Sequence, residues 1–137
     1  MALIRENNSS DNALLIVCLA MMMGVALFLG VAWFVVPAGG LVPDLDPSLA
    51  QALATTSILC LIGANLFETR RRRIAESHPA DDPEQAKKKT TIIAFGMREG
   101  AGFLAIMMGM FSGQMGFASV LAGVVLVVMA ISLPRTR

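Results

Sequence analysis

The chain has 137 residues, 55% of them apolar and 15% charged, with a formal net charge of +1 at pH 7. The charges sit in a few clusters between long apolar runs, which is the pattern of a membrane protein and one that a soluble core of this size does not need. With a single histidine, His78, a multi-histidine metal or haem site built from this chain alone is excluded.

A hydrocarbon layer of about 30 Å takes roughly 20 residues of helix at about 1.5 Å each. The first predicted helix covers residues 13–36, ALLIVCLAMMMGVALFLGVAWFVV. Its apolar stretch is longer than a signal-peptide core of about 7 to 15 residues, and no A-x-A cleavage pattern follows, so it is expected to be retained. Trp33 near its far end suits an interfacial anchor. Pro37, Gly39, Gly40, Pro43 and Pro47 then break the chain, and Asp44 and Asp46 keep the turn wet.

The second helix is expected over 49–67, with Gln51, Thr55 and Asn65 near one face. A loop over 68–90 follows, carrying seven bases and five acids. The third helix covers 91–111, the tight turn SGQMG follows it, and the fourth covers 117–133. None of these runs alternates every second residue, so a transmembrane barrel is excluded. The fold class is all-α integral membrane: residues 1–137 form a single domain of four transmembrane helices arranged as two hairpins.

Orientation follows from the bases. Arg5 precedes the first helix, Arg70, Arg71, Arg72, Arg73, Lys87, Lys88 and Lys89 lie in the long loop, and Arg135 and Arg137 end the chain. The two short connections have none. By the positive-inside rule both termini and the 68–90 loop are cytoplasmic, which places the protein in the inner membrane. Arg70 to Arg73 are expected to meet lipid headgroups. Because topology already accounts for that run, nucleic acid is not an expected partner.

Chemistry-bearing residues are few. Asp81, Asp82 and Glu84 lack calcium-loop spacing and read as a solvated turn. Cys18 and Cys60 are not spaced as C-x-x-C and read as small core residues. Their similar depths predict neighbours if their faces meet. The ten methionines read as flexible packing surface. No metal or other cofactor is expected, and no enzymatic activity.

Within the third helix, Arg98 and Glu99 lie about 10 to 12 Å below its start. Arg98 can reach back to the headgroups, whereas Glu99 is too short to follow. Glu99 is therefore expected to be protonated, to pair with Arg98 or a neighbouring helix, or to meet water. It shares a narrow face with Gly102, Ile106, Gly109 and Gly113, so it is expected to point at another helix. Asn65 is the candidate partner for Arg98 or Glu99. Gly116 and Gly123, with Ala118 and Ala122, are expected to be close-packing positions of the fourth helix.

The stretch from Asp82 to Phe111 resembles the loop and second helix of the c subunit, the proteolipid of rotary ATP synthases. The likeness rests on Pro83-Glu84, Thr90-Thr91-Ile92-Ile93 and Glu99-Gly100. It implies that Glu99 is an ion-carrying carboxylate. Two functional expectations result. One is a structural, accessory or interaction subunit that packs closely against copies of itself or a larger membrane complex within the bilayer. The alternative is a proton- or ion-handling subunit that uses Glu99.

Overall fold

A computed structural model describes residues 2–79 and 81–135, with side chains from residue 9 onward in the first helix. The described residues form four helices: α1 (Ala2–Val35), α2 (Pro47–Ser77), α3 (Pro83–Ser112) and α4 (Met115–Ile131). Three of them, α1, α2 and α3, are long and apolar enough to cross a membrane. With 17 residues, α4 rises about 25 Å, a little under a hydrocarbon core of about 30 Å.

The helices outrun the apolar segments. Residues expected as a loop are helical through Ser77 and again from Pro83, because Glu, Arg, Ala, Gln and Lys are good helix formers whether or not lipid surrounds them. An ion pair from Arg72 to Glu68, one turn apart, reinforces the extension of α2. That helix stops where Pro79 disfavours helical geometry at His78, whose N–H still bonds Ile74 O at 2.8 Å. A carboxylate followed by proline starts both α2 and α3. Asp82 accepts from Gln85 N–H at 3.1 Å with Pro83 in the first turn, and Asp46 accepts from Ser48 N–H at 2.9 Å ahead of Pro47. The bond from Ser48 holds the Asp46 carboxyl below its ordinary value.

The centre of the molecule is α3, which packs against all three other helices. Half of its apolar window is buried, against 11% for α1 and 17% for α2. The expected first hairpin is corrected: α1 and α2 are joined in sequence but share no substantial interface. The reason lies in the small residues of α2. Ala50, Ser57 and Ala64 recur every seventh position and are buried, as do Ala94, Ala101 and Met108 of α3, so these two stripes meet closely. Ser57 Oγ donates to Ala101 O at 2.7 Å across the contact. Register then alternates, with α2 and α4 antiparallel to α3 and α1 parallel to it. Lys88 Nζ near the start of α3 bonds Ser10 Oγ at 2.6 Å, and further along Gly102 lies against Val25.

Glycines mark the closest approaches. A Cβ on Gly102 would stand 2.8 Å from Val25 Cγ1, and one on Gly109 would collide with Ala118 Cβ. At the end remote from the bases, Gly113 caps α3 with φ +74° and Gly40 of the first connection has φ +79°. Both angles are ones that side chains resist. A Cβ on either would strike the other's backbone. The same connection gives Leu41 N–H to Met110 O at 2.8 Å and Val42 N–H to Phe111 O at 3.2 Å, satisfying carbonyls that the end of α3 leaves open. Trp33 Nε1, at this end too, donates to Ser119 Oγ at 2.7 Å.

Gly123 does not pack within this chain. Within the chain a Cβ there would meet nothing inside 4 Å, and the same holds for Gly116. The buried stripe of α4 is Ala118, Ala122, Val125 and Met129, and the two glycines fall outside it. Cys18 is buried with Phe95, Ala101, Val125 and Met129, while Cys60 packs at the margin of that cluster, and both thiols are free.

Candidate functional site

Successive residues of an α-helix point about 100° apart, and this separates Arg98 from Glu99. Arg98 turns towards α2 and is 2% exposed. Its Nη2 donates to Asn65 Oδ1 at 2.7 Å and to Glu68 Oε2 at 2.6 Å. The other carboxylate oxygen of Glu68 receives Arg72, so one carboxylate is shared between a buried and an exposed guanidinium. Arg98 Cζ lies 5.6 Å from the centre of the Phe95 ring, a distance at which a cation gains from the ring face. Among the described residues its Nε and Nη1 have no hydrogen-bond partner. Glu68 follows Phe67, the last apolar residue of the second predicted segment. The guanidinium thus reaches the rim of the apolar layer, as a long cationic side chain can. A polar crevice of about 550 Å³ opens onto the cluster, lined also by Thr69, Arg73 and Glu76 of α2 and Ser132 after α4.

Glu99 turns the other way, towards α1. It is half-buried, and its Oε1 lies 3.4 Å from the place a Cβ would take on Gly24. Phe103, one turn further on, meets Phe28 of α1 edge to face with centroids 5.3 Å apart. Among the described residues Glu99 has no hydrogen bond or ion pair. An Arg98–Glu99 pair is therefore replaced by Arg98–Glu68, with Asn65 the only one of the expected polar partners in the cluster. Thr55 bonds back to Gln51 O of its own helix. Of the bases Arg70 to Arg73, Arg72 pairs with Glu68, Arg71 lies over Phe67 at 5.4 Å, and Arg73 borders the crevice.

Two features escaped the reading of the sequence. Glu68 lies in α2 beyond the expected apolar segment, and its spacing from Asn65 and Arg72 is that of one helical face. Gly96 and Gly100, one turn apart on α3, lie where a Cβ would meet nothing within 4 Å. Exposed Ile93 and Met107 flank them. Their signal is the small-xxx-small spacing itself.

No family model, curated protein or solved structure matches this chain. The protein is all-helical among its described residues, with three helices long and apolar enough to cross a membrane and a buried arginine of α3 bonded to α2.

Proposed function

We propose that this is a multi-pass inner-membrane protein whose four helices span the bilayer, with both termini and the α2–α3 connection in the cytoplasm. In this reading it acts as a structural or interaction subunit that associates, through close helix packing, with copies of itself or with a larger membrane complex. The observation that carries it is the pair of open glycines on α3. On that helix Gly96 and Gly100 lie where a Cβ would meet nothing within 4 Å, with exposed Ile93 and Met107 beside them. In lipid, glycines at this spacing let another backbone approach closely enough for packing to drive association. Gly116 and Gly123 of α4, beside exposed Val120 and Val127, offer a second such face. The Arg98 cluster then serves to hold α2 on α3.

The test is native mass measurement of the gently purified protein. Wild type is expected to run as an oligomer or with partner subunits. Gly96→Leu combined with Gly100→Leu should run as a single chain of unchanged helix content, because a Cβ at either position meets nothing within 4 Å among the described residues. A monomeric wild type, or a double variant that assembles equally well, contradicts the proposal.

One observation favours ion handling as a second reading. Arg98 is held by Glu68 and does not neutralise Glu99, which leaves an unpartnered carboxyl between α1 and α3. Such a group inside a membrane marks an ion pathway when it is not structural. The proteolipid-like stretch from Asp82 to Phe111 is compatible with that role.

A further inference from the structure

Between the extended ends of α2 and α3 lies a second cavity, of about 600 Å³. Phe67, Ile74 and Ile93 supply its apolar lining, and Arg71, Lys87 and Lys89 supply cations around it. None of these three bases has an ion pair among the described residues. Arg72 and Glu68 border the cavity too, but are bonded to each other. Lys88, by contrast, is turned to Ser10, Asp11 and Glu84. Charge and apolar surface are contiguous here, since Arg71 Cζ lies 5.4 Å from the centre of the Phe67 ring. Phe67 closes the apolar run of α2 and Ile93 lies in the first turn of that of α3, so the cavity sits at headgroup depth if the helices span a membrane. Unpaired cations around an apolar lining complement an amphiphile that has an anionic head and a hydrocarbon tail. The volume is in the range of small-molecule sites, enough for a headgroup and the first methylenes of one chain.

We propose that this α2–α3 cavity binds one anionic phospholipid, with its phosphate against Arg71, Lys87 and Lys89 and the start of an acyl chain along Phe67, Ile74 and Ile93. The inference rests on the membrane-spanning reading above, and it goes beyond diffuse attraction of a basic loop to an acidic leaflet. Arg70 and Arg73, equally basic and adjacent in sequence, do not line this cavity.

The experiment is native mass spectrometry of the full chain in mild detergent, titrated with phosphatidylglycerol or with phosphatidylcholine of the same chains. The expected result is a one-to-one phosphatidylglycerol adduct favoured about tenfold or more over phosphatidylcholine. Lys87→Gln with Lys89→Gln should remove most of that preference. Arg70→Gln with Arg73→Gln takes away the same charge outside the cavity and should leave the preference within about twofold. Ala86→Trp, which fills the cavity without changing charge, should lower the adduct as well. Equal binding of the two lipids, or equal loss in both charge-matched variants, overturns the proposal. Displacement by glycerol 3-phosphate at the same concentration overturns it too, by assigning the site to a free phosphate. An alkaline membrane wash separates the two levels of failure. Protein that washes off removes the membrane reading itself, whereas protein that stays but shows no lipid preference removes only the site.

Discussion

At position 99 the third helix presents a carboxyl to Gly24 of α1, while the guanidinium one residue earlier is bonded to another helix altogether. Removing a charge costs most when it strands a buried partner, and Glu99 has none to strand. Glu99→Gln is therefore expected to leave unfolding and assembly as in wild type, measured by denaturant titration and native mass. Ion flux in proteoliposomes separates the two functional readings. The structural reading predicts no wild-type flux for Glu99→Gln to change. Flux in wild type, abolished by Glu99→Gln and partly kept by Glu99→Asp, establishes the ion-handling one instead. That Arg98 and Glu99 would bear on helix contacts was legible from two charges inside an apolar run. Which carboxylate Arg98 takes was not, because Glu68 lies just beyond the apolar segment and so was assigned to a loop.

Between α2 and α3 the Glu68–Arg98 bond is the principal charged link, and its stability effects should be asymmetric. Arg98→Leu removes the buried cation and leaves Glu68 still paired with Arg72 at a crevice, so it is expected to cost only about 1 kcal/mol. Glu68→Gln keeps an oxygen acceptor but leaves a cation that is 2% exposed without the carboxylate that balances its charge. The loss there is expected to be about 3 kcal/mol, since an uncompensated buried charge is among the costly defects. Adding Arg98→Leu to Glu68→Gln should recover most of it. Chemical unfolding in detergent micelles checks the order, and a larger loss for Arg98→Leu would reject it. Helix number was readable at this scale, because apolar runs of this length leave few alternatives to helix. Helix ends were not, since apolarity reports contact with lipid while helix continuation through 68–77 depends on backbone propensity and on Pro79. Pairing escaped for a related reason. Sequence adjacency suggested α1 against α2, but the matched small residues Ala50, Ser57 and Ala64 lead α2 to α3. Gly123 lies outside the buried stripe of α4, on the side left open to a partner helix.

For the molecule as a whole, the two ends differ in kind. One end carries Arg98, Glu68, Lys88 and the α2–α3 cavity, and the other is closed by the backbone contact of Gly40 with Gly113 and the bond from Trp33 to Ser119. A basic end and a tightly capped end without Lys or Arg fit a bilayer whose cytoplasmic face retains Lys and Arg. Every functional proposal here depends on that placement: the open glycines must face lipid, and the α2–α3 cavity must face the inner headgroups. The most direct test is a set of topology reporters inserted at Ser77, at Asp44 and after Arg137 of the full chain in cells. The predicted result is cytoplasmic signal at Ser77 and after Arg137 with external signal at Asp44. External signal at Ser77, or cytoplasmic signal at all three positions, would contradict it.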